Sequence, residues 1–358
     1  MNTAQDNHGI GDFRRNHKLE SLLREVNGLL THCQEEVNRQ YVRPRFPLLL
    51  LMGAPHSGTT LLMQWLAESQ QWGYPTNLIS RFYAAPYLGA RIQQILIEND
   101  IHGEISGFKE TVPFTSTLGK TEGALAPREF WFFWRRFFPL QPEADVVLPE
   151  KLAQVDIVRF NSELAALEAA LGKPLALKAM LLNYHIPFLD AAFDKVLFVN
   201  LKREPAYVVQ SMLEGSQKRN GAEEFWYSFR PPEYAWLKNL PPVAQVAGQI
   251  GFIRQATDAG MAQLDPARAL TIHYEEFCRD PAATWADLVE KMAGLGYSLN
   301  RDYTGPGRFD AANTIRSSPE RWADIQRVLN DVERLAVSPP LRPVSDRADS
   351  GCCGADAS

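Results

Sequence analysis

The chain has few cysteines, no long apolar run and no excess of positive charge. Its four cysteines include Cys33 and Cys278, far apart, and an adjacent pair near the C-terminus, which excludes a disulfide framework and favours a reducing compartment. The longest apolar run, residues 47–52 continuing to 54, is far short of the roughly 20 residues that span a bilayer. The first 17 residues are polar and contain no signal-peptide core. We therefore expect a cytoplasmic protein without a membrane span.

Charge and composition exclude further classes of protein. The chain has 37 basic and 42 acidic residues, a formal net charge of −5, whereas a dedicated nucleic-acid binder is usually basic. We expect no nucleic-acid partner. Hydrophobic residues make up 45% and charged residues 22%, which is ordinary for a globular protein and excludes a disordered or collagen-like chain. A length of 358 residues allows two domains or one large α/β domain.

Apolar runs of strand length alternate with helical patterns along the chain. Strands are predicted at 46–52, 175–180, 196–201 and 270–274. Helices are predicted at 18–41, 59–70, 161–171, 205–215, 243–264 and 284–294. This alternation predicts an α/β fold with a mainly parallel sheet.

The strongest local signal follows the first predicted strand, where the sequence reads Gly53-Ala-Pro-His-Ser-Gly-Thr-Thr60. Unpaired backbone N–H groups and the helix dipole make such a strand–turn–helix junction an anion site. Gly53 and Gly58 have the spacing of a Walker loop, but Thr59 stands where that motif has its phosphate-bridging lysine. The loop therefore predicts phosphate binding without the ordinary machinery of ATP or GTP hydrolysis.

The pattern Pro-x-Ser-Gly-Thr-Thr-Leu over residues 55–61 resembles the 5′-phosphosulfate loop of sulfotransferases, which use 3′-phosphoadenosine 5′-phosphosulfate (PAPS) as the sulfuryl donor. The resemblance implies that the loop binds the donor through Pro55, His56, Ser57, Gly58, Thr59 and Thr60. His56 stands where the family usually has lysine or arginine. A histidine can still donate a hydrogen bond to the donor there, so His56 is also a catalytic candidate.

A second anion motif, Arg203-x-Pro205-x5-Ser211, follows the third predicted strand. It resembles the 3′-phosphate motif of the same family, and a guanidinium is well suited to a phosphate. The resemblance implies that Arg203 and Ser211 hold the 3′-phosphate of PAPS. Residues 316–322 are similar to the family's basic loop with a tryptophan that closes over the nucleotide, which adds Arg316 and Ser317 to the donor site.

Lys178 lies within an apolar strand, where a lysine is costly to bury without a partner. In the family, a lysine on this strand contacts the sulfuryl group. Cytosolic members have a catalytic histidine two positions later, but Met180 stands there, so the chain is closer to members with a glutamate base. Glu129 is our first candidate, because it begins an aromatic segment where desolvation would raise its basicity. Glu110 and His185 remain alternatives.

The resemblance implies a three-layer sandwich around a mainly parallel sheet, similar to P-loop NTPases, without a required metal. The expected reaction is in-line sulfuryl transfer to a hydroxyl, or an amine, of a small-molecule or glycan acceptor, leaving 3′,5′-adenosine bisphosphate (PAP). A P-loop kinase of a small metabolite and an inactive nucleotide-binding protein of the same fold are the alternatives. We expect a helical extension (1–44), a sulfotransferase domain (45–338) and a flexible tail (339–358). The 18–41 helix could pack within the chain or build a homodimer.

Overall fold

The structure is a computed structural model that describes residue 10 and residues 13–100, 102–103 and 114–337. Its helices are α1 (His17–Asn38), α2 (Thr59–Glu68), α3 (Pro86–Gln93), α4 (Trp131–Phe137), α5 (Pro149–Leu152), α6 (Ile157–Leu171), α7 (Ile186–Ala192), α8 (Pro205–Asn220), α9 (Tyr234–Leu237), α10 (Pro242–Met261), α11 (Tyr274–Arg279), α12 (Pro281–Gly294) and α13 (Pro319–Val337). Its strands are β1 (Leu48–Met52), β2 (Ser116–Thr117), β3 (Lys120–Thr121), β4 (Ala176–Lys178), β5 (Val196–Lys202) and β6 (Ala269–His273).

The central sheet has four parallel strands in the order β4-β1-β5-β6. These are the four strands that the apolar runs predicted, so the mainly parallel sheet is confirmed. Strands β2 and β3 form a separate antiparallel hairpin that the sequence did not predict. Because β1 pairs with both β4 and β5, the loops that follow these three strands meet at one edge of the sheet.

Helices cover both faces of this sheet. Along β1, Leu48 and Leu50 lie in a core that includes residues of α6, α8 and α10, whereas Leu49 and Leu51 lie in a second core with residues of α2 and α12. All four leucines are buried, which is why this strand reads as a continuous apolar run. The predicted three-layer α/β sandwich is confirmed.

Two element boundaries differ from the predictions near the expected site. The predicted strand at 175–180 is shorter, because Met180 already begins a 3₁₀ turn that runs to His185. The prediction of a loop over residues 316–322 is wrong for residues 319–322, which are helical. Pro319 begins α13, as the fixed backbone of proline allows at a helix start. Trp322 is therefore helical and packs against Tyr207 of α8, with ring centroids 5.0 Å apart.

Helix α1 packs within the chain, which is one of the two arrangements left open for it. Asn27 donates to the carbonyl of Arg81 at 2.7 Å and accepts the N–H of Ala84 at 2.8 Å. The opposite side of α1 leaves Leu22 and Leu29 exposed. Among the described residues, no helix is both long and apolar enough to cross a membrane.

Candidate active site

The predicted anion motifs and the predicted lysine meet at the carboxyl ends of β1, β4 and β5. Residues 53–58 follow β1, and Lys178 is the last residue of β4, paired with Leu51 in the register of the sheet. Arg203 follows β5 directly. Ligands of open α/β sheets bind at this edge, so the arrangement forms one candidate site from three distant parts of the chain.

The loop after β1 requires glycine at two positions. Gly53 has a φ of 134°, and a Cβ there would lie 2.6 Å from the carbonyl oxygen of Leu201. Gly58 has a φ of 96°, and a Cβ there would lie 2.3 Å from the ring of Tyr274. Both close approaches exclude a side chain. The Ser57 hydroxyl donates to the Ala54 carbonyl at 2.7 Å, which tightens the turn.

The N-terminus of α2 has the features of an anion site. Gly58 is the N-cap, and no side chain in the described part of the chain caps the helix. The first backbone N–H groups are therefore available to an external acceptor, and the helix dipole favours a negative charge there.

Asn183 fixes the start of this loop. Its side-chain oxygen accepts the N–H of Gly53 at 3.1 Å, and its side-chain nitrogen donates to the Gly53 carbonyl at 2.8 Å. Asn183 is buried, so these two bonds satisfy polar groups that have lost contact with water. Sequence reasoning did not assign this role, because Asn183 lies 130 positions from Gly53 and carries no motif of its own.

His56 connects the two anion motifs. Its Nδ1 lies 2.7 Å from the Ser211 hydroxyl and its Nε2 lies 3.3 Å from the Tyr227 hydroxyl. Burial, together with the Arg203 guanidinium, lowers the pKa of His56 to about 4. The imidazole is therefore neutral at neutral pH, and one ring nitrogen donates while the other accepts. Gly215 leaves room for these two rings, since a Cβ there would lie 2.8 Å from the Tyr227 ring and 3.1 Å from the His56 ring.

Arg203 ties the phosphate loop to the segment before α13. It donates to the His56 carbonyl at 2.9 Å, the Ala312 carbonyl at 2.6 Å and the Asn313 side-chain oxygen at 2.8 Å. Its guanidinium also lies over the Tyr274 ring, 4.9 Å from the centroid. These contacts use three of the five N–H donors of the guanidinium. Within the described residues, two donors remain for an anion.

A second cluster surrounds Lys178. Its ammonium donates to the Thr60 hydroxyl at 2.9 Å and lies 3.4 Å from Oε1 of Glu129. The other Glu129 oxygen accepts the indole N–H of Trp131. Burial lowers the pKa of Lys178, and the Glu129 carboxylate opposes that shift. The cluster thus combines a buried cation, a carboxylate and a hydroxyl beside the phosphate loop.

Arg316 and Ser317 lie against α8, near Ser211. Their backbone N–H groups both donate to the side-chain oxygen of Gln210, at 2.8 and 3.0 Å. The Arg316 guanidinium makes two parallel bonds to Glu214, from 2.8 to 2.9 Å. The structure thus brings this segment to the helix that carries Ser211, while the guanidinium itself is paired with a carboxylate.

The alternative base candidates are placed differently. His185 is buried, and its Nε2 accepts the backbone N–H of Val147 at 3.0 Å. Burial lowers the pKa of His185 to about 4. Glu110 lies outside the described residues. Of the three candidates, Glu129 is therefore the one that the described structure places in contact with Lys178.

Asn77 and Phe229 contact the part of the chain around Glu129. Asn77 donates to the Thr121 and Gly123 carbonyls and so anchors the chain just before Glu129. Phe229 stacks on Trp131, with ring centroids 5.0 Å apart. Together these contacts position the Glu129 segment.

Among the described residues, no group of three or more His, Cys, Asp or Glu side chains is arranged to bind a metal ion.

Comparison with known proteins identifies a family. A sequence model described as "Sulfotransferase family" matches residues 47–297. That range contains the phosphate loop, Lys178, Arg203 and Ser211. No curated protein matches the chain.

Three solved structures are similar to this chain. Sulfotransferase STF9 from Mycobacterium avium has 15% identity and a TM-score of 0.47, covering 87% of this chain and 81% of that chain. Sulfotransferase STF1 from Mycobacterium tuberculosis H37Rv has 16% identity and a TM-score of 0.46, covering 75% and 73%. The sulfotransferase domain of the Synechococcus PCC 7002 olefin synthase has 17% identity and a TM-score of 0.39, covering 83% and 95%.

Proposed function

The chain belongs to the sulfotransferase family, and from this premise we propose that it transfers a sulfuryl group from PAPS to a hydroxyl, or an amine, of a small-molecule or glycan acceptor. One observation carries the proposal: the two anion motifs touch. Ser211 lies 2.7 Å from the His56 ring, 155 positions away in the chain. Arg203 donates to the His56 carbonyl. A nucleotide with phosphates at both the 5′ and the 3′ position is the type of ligand that two adjoining anion sites suit.

The residues present suit such a donor. The uncapped N-terminus of α2 offers backbone N–H groups to the 5′-phosphosulfate, and the hydroxyls of Thr59 and Thr60 can add hydrogen bonds. The remaining N–H donors of Arg203 and the Ser211 hydroxyl would hold the 3′-phosphate. Charge-assisted bonds from a guanidinium to a phosphate are among the strongest polar contacts in proteins.

Lys178 and Glu129 are the groups we assign to the transfer step. The acceptor oxygen forms a bond to sulfur while the sulfur–oxygen bond to the 5′-phosphate breaks and its electron pair remains on that phosphate. Lys178 would stabilise the negative charge on the sulfuryl oxygens. Glu129 would take the proton of the acceptor hydroxyl. The neutral His56 ring has one N–H, and its Nδ1–H would donate to Ser211, which leaves the Ser211 hydroxyl free to donate to the 3′-phosphate. His56 therefore acts in this proposal as a positioning residue rather than as a donor to the leaving group.

The assignment of the base to Glu129 is supported by its position. Its carboxylate lies beside Lys178 at 3.4 Å and is held by the Trp131 indole. His185, by contrast, has its Nε2 bonded to the backbone N–H of Val147, so this nitrogen is already occupied.

A thermal-shift titration tests the proposal. PAP should stabilise the protein by about 2.7 kcal/mol at one hundred times its Kd, which raises Tm by several degrees in a chain of this size. Mg-ATP in the same titration tests the kinase alternative and should give the smaller shift. Absence of stabilisation by millimolar PAP in a folded sample would refute the proposal, and a larger shift with Mg-ATP would favour the kinase.

A further inference from the structure

The short hairpin of β2 and β3 lies at the Lys178 cluster. Ser116 pairs with Thr121 and Thr117 with Lys120, so Leu118 and Gly119 alone form the turn. Both ends of the hairpin are anchored. Gln64 of α2 donates to the Thr115 carbonyl at 3.1 Å, and Asn77 donates to the Thr121 carbonyl at 3.1 Å. The position of the turn is therefore set by the helix that follows the phosphate loop and by the segment before α3.

The turn lies over Thr60. A Cβ at Gly119 would be 3.7 Å from the Thr60 hydroxyl oxygen, which is ordinary van der Waals contact. That same oxygen accepts the hydrogen bond from the Lys178 ammonium at 2.9 Å. The hairpin turn thus lies beside Thr60, whose hydroxyl is bonded to the lysine that we assign to the sulfuryl group.

The turn also contains a residue that its backbone disfavours. Leu118 has a φ of 50° and Gly119 a φ of 80°. Two-residue hairpin turns with positive φ at both positions strongly prefer asparagine or glycine. A leucine is sterically disfavoured there, and this one is half-buried rather than exposed. Strained residues of this kind cluster at functional sites, and here the strain retains an apolar side chain at the tip of the hairpin.

We propose that Leu118 and Gly119 exclude water from the sulfuryl group, so that the donor reacts with the acceptor rather than being hydrolysed. The inference rests on the proposed function. In the competing reaction, a water oxygen forms a bond to sulfur and the sulfur–oxygen bond to the 5′-phosphate breaks. The electron pair remains on PAP, and the product is sulfate with a proton released to solvent. Leu118 has no side-chain donor or acceptor to orient such a water, so it covers the site without promoting that reaction.

The test measures PAPS hydrolysis in the absence of any acceptor. Leu118→Gly removes the side chain at a position where glycine is the favoured residue, and Leu118→Asn replaces it by a polar group that the same backbone accepts. We expect both variants to raise the release of sulfate from PAPS by about tenfold. Gln70→Gly is the matched control, because Gln70 is also a non-glycine residue with positive φ, 56°, at the other end of α2. It should hydrolyse PAPS at the wild-type rate.

A PAP thermal-shift titration on the same proteins separates the two proposals. PAP should stabilise both Leu118 variants as it does the wild type, because Leu118 is not among the residues that we assign to either phosphate of PAP. Normal PAP stabilisation with unchanged hydrolysis in both variants would overturn this inference and leave the proposed function standing. A wild type that neither binds PAP nor hydrolyses PAPS would overturn both.

Discussion

The ammonium of Lys178 lies 3.4 Å from Oε1 of Glu129, which joins the end of β4 to the residue just before the aromatic helix α4. The Lys178 side chain is 3% exposed and that of Glu129 is 29% exposed. The cation is thus held inside the protein, while the carboxylate reaches solvent. In the proposed reaction, an acceptor that arrives from solvent would therefore reach the carboxylate before the cation.

Replacement of Lys178 by methionine should separate catalysis from nucleotide binding. Lys178→Met keeps an unbranched side chain in the apolar strand, and the partly exposed Glu129 can be hydrated, so the fold should persist. Loss of one preorganised charge typically lowers the rate by about 10²- to 10³-fold. We expect the rate at which the radiolabelled sulfuryl group leaves PAPS to fall by this factor. PAP should still stabilise the variant against thermal unfolding. Lys151→Met, at an exposed lysine of α5, is the control, and equal rates in the two variants would contradict the role of Lys178.

The three base candidates can be ranked by one set of variants. Glu129→Gln preserves a hydrogen-bond acceptor for Trp131 but removes the basic oxygen, so transfer to an accepted hydroxyl should fall by about 10²- to 10⁴-fold. Glu110→Gln and His185→Gln should retain most of the activity. An acceptor panel of phenols, alcohols and sugars, with radiolabelled PAPS, supplies the measurement. If Glu110→Gln or His185→Gln shows the largest loss, the base is that residue and not Glu129.

The stability of the fold should be sensitive to a single methyl group added at Gly58, the N-cap of α2. Gly58→Ala places a methyl group 2.3 Å from the Tyr274 ring at a φ of 96°, and overpacking with a left-handed residue costs about 3 kcal/mol. Gly28→Ala in α1, where nothing lies within 4 Å of the new methyl group, should instead stabilise the fold by about 0.5–1 kcal/mol. Urea unfolding measures both, and a Gly58→Ala protein as stable as wild type would show that the loop is not held as described.

Acidification should weaken the fold through its buried histidines. His56 has a pKa of about 4 in the folded protein against an ordinary value of about 6.5, so between these values the unfolded chain binds more protons. Stability therefore rises with pH across this interval and falls when the pH is lowered from 7 to 5. His56→Asn should reduce that loss in the free energy of unfolding by about 2 kcal/mol.

Urea unfolding at pH 7 and pH 5 provides the comparison. Asparagine tolerates the positive φ of residue 56 and can replace Nδ1 as the partner of Ser211. His32→Asn, at an exposed position of α1, is the control and should leave the pH dependence unchanged. An identical loss of stability in wild type and His56→Asn would contradict the burial of this imidazole.

The parts of the fold that were predictable from sequence are those whose signal is local. Burial of β1 on both faces makes an unbroken apolar run, and the turn at 53–58 carries its glycines within six residues. The clamp of Asn183 on Gly53 had no such signal, because a buried asparagine forms its bonds with backbone far away in the chain. The turn at Leu118 also escaped prediction, since leucine is disfavoured where φ is positive.

The contact between Ser211 and His56 defines the most direct test of the central claim, that the site binds a nucleotide with a 3′-phosphate. Calorimetric titration should compare PAP with adenosine 5′-monophosphate, which lacks that phosphate, on wild type and Ser211→Ala. We predict that wild type prefers PAP by more than about tenfold, and that Ser211→Ala reduces this preference by about tenfold, as the loss of one hydrogen bond to a charged group implies. Equal affinity of the wild type for the two nucleotides, or no binding of PAP, would contradict the claim.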